Sequence, residues 1–116
     1  MPRDFRFGLA IANGFADDPV AQARRAEDFG FDVAVVGDHI GPELAPMPTL
    51  VAIAVATYSI GLGTMVVNAD VRNPVQLEWE AASINRLSNG RFELGVGAGH
   101  TPRNTPPWGS TRINPP

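Results

Sequence analysis

His39 and His100 are the only two histidines in the chain, and each follows closely on a strand-like segment, Val33-Ala34-Val35-Val36 in the first case and Phe92 to Val96 in the second. Imidazole is the side chain that gains and loses a proton nearest to neutral pH, so proton handling is the chemistry these positions could perform. Asp38 stands next to His39 and could orient or charge its ring, although neighbours on an extended segment point to opposite sides and Asp38 could equally cap the following loop. Asn13 closes another apolar run, Phe7 to Ile11, while Asn68 and Asp70 close a third, Ile60 to Val67. If these runs are parallel strands, all of these polar residues lie beyond the carboxyl ends, where α/β folds bind their ligands. A single histidine after a strand is more often a loop residue than a catalyst. Two out of two on the same edge shift the balance toward a site, with His39 expected to face the ligand edge and Val35 and Val36 to be buried.

Composition removes many alternatives. The 116 residues suffice for about one domain. Nine basic residues, every one an arginine, against twelve acidic ones give a net charge of −3. The arginines are scattered, so no basic stripe offers itself to a nucleic acid. The chain has no lysine, which excludes Schiff-base chemistry and a Walker-type phosphate loop. It has no cysteine, which excludes disulfides, thiolate nucleophiles and cysteine-based metal sites. Two histidines at separate strand ends, without an HxH or HExxH pattern, are a thin ligand set, so no metal is expected. The N-terminal apolar run is too short for a signal peptide, and the longest one, Leu50 to Ala56, is far below a membrane span. A cytoplasmic protein is expected.

The elements that must position these residues are marked by local signals. Asp18-Pro19 supplies a helix cap and a first-turn proline, Val20, Ala23, Ala26 and Phe29 recur at helical spacing, and Gly30 falls where a left-handed cap would end the helix. A loop with Pro42, Pro46 and Pro48 leads into Leu50 to Tyr58, which is read as a buried helix. Asn73-Pro74 opens a third, running to Arg86, with Val75, Leu77, Trp79, Ala82, Ile84 and Leu87 as apolar contacts and Ser88-Asn89-Gly90 as its end. Met65, Trp79 and Phe92 are expected in the core, and Gly61 and Gly63 at a tight strand entry. The strand-helix alternation predicts an α/β fold of four parallel strands with three crossover helices. Residues 1–100 form the barrel-like part, and 101–116, with five of the eleven prolines, an irregular tail.

The run Gly95-Val96-Gly97-Ala98-Gly99-His100 is not a dinucleotide fingerprint, because His100 stands where the third glycine should be and Thr101-Pro102 cannot open the required helix. Its glycines are read instead as letting the backbone approach a neighbouring strand or a flat ligand. Taken in order, GLAIANG, VAVVGDH, LGTMVVNADVRNP and LEWEAASINRLSNGRFELGVGAGH resemble the N-terminal part of the luciferase-like monooxygenase superfamily, in particular its deazaflavin (coenzyme F-420) dependent oxidoreductases. The resemblance covers roughly residues 5 to 103 and is most specific from Arg72-Asn73-Pro74 to Gly99. It implies a TIM-type (β/α)8 barrel with a deazaflavin, or alternatively FMN, at the carboxyl ends of the strands. Asp38 and His39 would lie beside the ring as catalytic residues, with His39 handling the proton and Asp38 orienting it. Thr64, Met65, Val66 and Asn68 would form a bulge, with a non-proline cis peptide at Met65-Val66, that backs the ring. Gly97, Gly99 and His100 would border the same pocket.

A whole barrel needs about 250 residues, so the chain amounts to the N-terminal half of one. The expected function is therefore the cofactor-binding half of a hydride-transferring oxidoreductase of small organic molecules, inactive alone and self-associating through open barrel edges. The alternative is a non-catalytic remnant or interaction module of the same fold.

Overall fold

The computed structural model describes residues 4–99. His100 and the 101–116 segment lie outside the described residues. The element order is β1 (Gly8–Ala10), α1 (Pro19–Asp28), β2 (Val33–Val36), α2 (Pro46–Ala56), β3 (Gly61–Thr64), β4 (Val67–Asn68), a 3-10 turn (Ala69–Val71), α3 (Pro74–Leu87), β5 (Phe92–Glu93) and β6 (Val96–Gly97). The strands β1, β2, β3 and β5 form one parallel sheet in that order, and β4 pairs with β6 in parallel beyond it. Here β3 and β4 are two pieces of one strand, and β5 and β6 two pieces of the next. The expected four-strand, three-helix α/β half-barrel is what forms. No helix among the described residues is long and apolar enough to cross a membrane.

The helix ends follow from their capping residues. Asp18 accepts a hydrogen bond from Ala21 N and Asn73 accepts from Val75 N and Gln76 N, each followed by a proline that lacks the N–H a first turn leaves unpaired. Gly30, at φ +83°, and the pair Asn89-Gly90, at φ 55° and 80°, take the left-handed conformation just past α1 and α3. The second helix differs from its expected span. It starts at Pro46 and stops at Ala56, leaving Tyr58 outside and exposed. Pro46 and Pro48 both sit in the first turn, where their missing N–H groups cost nothing, so prolines that suggested a loop instead begin a helix.

The core lies between the helices and the outer face of the sheet. Ala34, Val36 and Leu62 from the strands pack with Ala23, Ala26, Leu50, Ile53 and Ile84 from the helices. Alternation turns Gly8, Ala10, Val33 and Val35 to the other face, and Val35, expected to be buried, is half-exposed there. Arg6, just before β1, pairs with Glu93 on β5. Three strand spacings separate those edges, about 14 Å in a flat sheet, and a contact across them fits a sheet that curls as a barrel does.

Two residues expected in the core are on the surface. Trp79 is 75% and Met65 65% exposed, while Phe92 is partly buried against the core. Only the α3 face carrying Leu77 and Ile84 meets the core, and Trp79 instead lines an apolar groove with Met47, Pro48 and Val51 of α2.

The third strand is not continuous from Ile60 to Val67. After Thr64 it leaves regular geometry at a cis Met65–Val66 peptide, as the family resemblance implied, and resumes at Val67. The fourth strand breaks in step, at Leu94-Gly95. The Thr64 hydroxyl fills the gap, donating to Gly95 O at 2.8 Å and accepting from Gly95 N at 2.9 Å. A Cβ at Gly95 would collide with Thr64 O, and one at Gly97 with the Val66 side chain. These glycines are there for close strand approach. Gly61 opens β3, as expected of a strand entry, and Gly63 lies within it, where a Cβ would come within 2.6 Å of Glu93 O.

At the amino-terminal ends of the strands two charged side chains hold the loops. Arg91 donates to Ser88 O, Thr57 Oγ1, Ile60 O, Ala54 O and Thr57 O, at 2.7–3.2 Å, joining the ends of α2 and α3 to the start of β3. Glu27 Oε1, from α1, accepts from the backbone N–H groups of Tyr58, Ser59 and Ile60 and from the Ser59 hydroxyl. Partial burial works against its charged form, but the three backbone donors outweigh this and hold the carboxyl below its usual 4.5.

Replacing Arg91 by Met should cost about 3 kcal/mol or more, because it orphans carbonyls on three segments at once; urea unfolding of both proteins measures this. A group whose folded pKa is depressed contributes stability that is complete above its unfolded pKa and is lost as pH falls through the folded one. The stability gap between wild type and Glu27→Gln should therefore be widest near neutral pH and shrink below about pH 4, as read by urea midpoints at a series of pH values. A gap that grows on acidification would contradict the assignment.

Candidate functional site

The carboxyl ends of the strands bring together Asn13 after β1, Asp38 and His39 after β2, Thr64 to Asn68 at the end of β3 and in β4, and Gly97 and Gly99 at β6. Short connections force this, since each strand must hand its chain to a helix at that edge. Four of the polar residues are buried: Asn13, Asp38, Thr64 and Asn68.

Asp38 is the hub. Its Oδ2 accepts from Asn68 N at 2.9 Å and Arg72 Nε at 3.0 Å, and its Oδ1 accepts from Arg72 Nη2 at 2.9 Å. The arginine fork thus grips both carboxylate oxygens, a geometry that fixes direction as well as charge. Asn68 in turn accepts from Asp70 N through Oδ1 and caps the 3-10 turn leading to Arg72. One buried carboxylate therefore sets the β2 loop against the β4 exit.

His39 takes a different partner. Its Nδ1 lies 3.0 Å from Glu43 Oε2, and the same oxygen accepts the His39 backbone N–H at 3.1 Å. The sequence reading gave Asp38 the task of orienting His39. In the structure the carboxylate on the His39 ring is Glu43, because the chain turns at Gly41-Pro42 and folds Glu43 back, while Asp38 faces the opposite way toward Arg72. Gly41 adopts φ +109°, which permits the turn.

Asn13 donates through Nδ2 to Leu44 O at 2.9 Å, and Leu44 N donates back to Asn13 O at 2.8 Å. Its Oδ1 is buried without a hydrogen-bond partner among the described residues. Met65 and Val66 are exposed at 65% and 42% on the same edge. A Cβ on Gly99, at φ +75°, would fall within 3 Å of the Asn68 amide.

Sequence reasoning brought Asp38, His39, Thr64, Met65, Val66, Asn68, Gly97 and Gly99 to one edge, and the structure keeps them there. It missed Arg72 and Glu43 as partners. Arg72 was visible only as part of the RNP motif, and Glu43 only by standing four residues after His39 in a segment rich in proline and glycine.

The luciferase-like monooxygenase family model matches residues 6–111. The chain is 32% identical over 115 residues to an F-420-dependent glucose-6-phosphate dehydrogenase of Nakamurella multipartita, covering 90% of this chain and 34% of that protein. The coenzyme F-420 dependent tetrahydromethanopterin reductase of Methanopyrus kandleri superposes with a TM-score of 0.76 at 31% identity, over 84% of this chain and 28% of that one. The FMN-bound oxygenating constituent of 3,6-diketocamphane monooxygenase from Pseudomonas putida shares the fold, with a TM-score of 0.72 at 20% identity over 85% and 31% of the two chains. The chain thus spans about a third of the length of these relatives. With the family model covering most of its residues, and the curled parallel sheet, the broken third strand and the glycine run all in place, the chain belongs to the luciferase-like monooxygenase family.

Proposed function

We propose that the chain is the cofactor-holding part of an oxidoreductase that acts on a small organic molecule with coenzyme F-420, or alternatively FMN. The observation that carries this reading is the shelf at the carboxyl-terminal edge: a buried acceptor without a partner among the described residues, Asn13 Oδ1, on the same edge as exposed Met65 and Val66 and the side-chain-free backbone of Gly97. That combination fits a flat ring with hydrogen-bonding edges. Bound there, such a ring supplies hydride chemistry. The protein's part is to hold it and manage protons: Thr64 to Asn68 back the ring, Gly97 and Gly99 border it, and His39 handles the proton. Asp38 serves by fixing the loops through Arg72 and Asn68. The relatives' cofactors support this reading.

The first test is addition of coenzyme F-420 or FMN at millimolar concentration to the isotope-labelled chain, followed by amide NMR. Shifts should concentrate at Asn13, His39, Asn68 and Gly97 and spare Glu27 and Arg91 at the opposite face. Shifts centred on the opposite face, or none with either compound, would overturn the reading.

We further infer that the 116-residue polypeptide holds only part of the site, does not turn over alone and self-associates. Phe5 and Phe7 beside β1, and Leu94 and Val96 along the other edge, are exposed by 88%, 66%, 42% and 53%. Covering such edges at roughly 25 cal/mol per Å² favours association. Size-exclusion chromatography should show species larger than a monomer. A monodisperse monomer that binds either compound at micromolar affinity and turns over would refute this.

A further inference from the structure

We propose that Glu43 is a positioning residue that holds the neutral His39 ring in the Nδ1–H form, so that Nε2 carries the lone pair and is the atom that takes and returns the proton. This rests on the reading of the edge as a redox site and assigns a residue that nothing in the strand-end pattern pointed to.

Glu43 Oε2 makes an ion-pair contact with Nδ1 at 3.0 Å, and an ionised carboxylate only accepts. The proton of a neutral imidazole goes to the nitrogen whose hydrogen bond needs it, so an acceptor on Nδ1 leaves Nε2 basic. Glu43 is itself held in place. Its Oε2 also accepts the His39 N–H, its backbone N donates to His39 O at 3.3 Å, and bridges tie it to Gly14 and Ile40. A Cβ on Gly37 would stand 3.2 Å from the same oxygen and 3.3 Å from Nδ1, so the absent side chain at Gly37 leaves room for the pair. Asp38 does not take this role, because its carboxylate is turned toward Arg72 and Asn68.

The chain's two histidines make the test direct. In histidine-labelled protein without cofactor, above pH 8, nitrogen NMR distinguishes the Nδ1–H from the Nε2–H ring, and His39→Gln identifies which signals belong to His39. The wild type should show mainly Nδ1–H. Glu43→Ala, and Glu43→Met, which keeps the aliphatic stem, should pass to mainly Nε2–H, the form an imidazole favours in water, while Glu43→Gln, which retains an acceptor oxygen, should keep Nδ1–H. A wild-type ring that is mainly Nε2–H, or one unchanged in folded Glu43→Ala or Glu43→Met, would overturn the proposal. Because the readout needs no cofactor, its failure is separable from failure of the cofactor titration.

Discussion

The Thr64 hydroxyl occupies the gap where two parallel strands stop pairing by backbone alone. A break in a central strand would leave an N–H of its neighbour unpaired, at a cost of about 1–3 kcal/mol where it is buried. The Thr64 hydroxyl accepts from Gly95 N and donates to Gly95 O, which also accepts from Val67 N, so the break leaves no backbone group of Gly95 unpaired. The arrangement works only if the neighbouring strand comes close, which is why positions 95 and 97 are glycine. With that link made, the strand can leave regular geometry after Thr64 and resume as Val67-Asn68, delivering Met65 and Val66 to the surface and Asn68 to the buried carboxylate of Asp38.

The two ends of the sheet are organised on the same principle for different purposes. At the amino-terminal end, Glu27 and Arg91 each gather hydrogen bonds from several segments and leave no buried acceptor idle among their partners. This is stabilising work, as conservative as the bottom of a barrel is expected to be. At the carboxyl-terminal end the accounting is incomplete. Asn13 Oδ1 is buried without a partner among the described residues, and apolar Met65 and Val66 are exposed. Unmet polar and apolar demands on one edge mark where a fold has been shaped for something other than itself.

Around His39 two carboxylates divide the labour by geometry. Asp38 is buried and gripped at both oxygens by the planar Arg72 fork, so it fixes backbone; replacing one partner alone would leave a buried charge uncompensated. Glu43, more exposed, sits on the ring of His39 through a turn at Gly41-Pro42. Sequence adjacency favoured Asp38 for the ring. Extended geometry and a reversal of the chain gave the ring to the residue four positions on.

Much of the architecture was determined by the sequence itself, because its causes are local. Asp18-Pro19 and Asn73-Pro74 start helices through caps that reach two or three residues, Gly30 and Asn89-Gly90 end them by a backbone conformation other residues avoid, and Val33-Ala34-Val35-Val36 is a strand by residue type. From that order of elements alone, His39, Asn13 and Asn68 had to share an edge. The RNP-to-GAG motif carried the family and, with it, the bulge after Thr64. What only the tertiary structure decided involves distance across the chain. Trp79 and Met65 are apolar residues at regular spacing, and nothing local says that only one face of α3 meets the core or that the strand turns Met65 outward. The first-turn prolines of α2 read as a loop until packing against α1 and α3 stabilises the helix. Arg72 finds Asp38 across 34 positions and Arg91 finds Ala54 across 37, contacts for which spacing holds no signal because they exist only once the sheet has curled and stacked its loops.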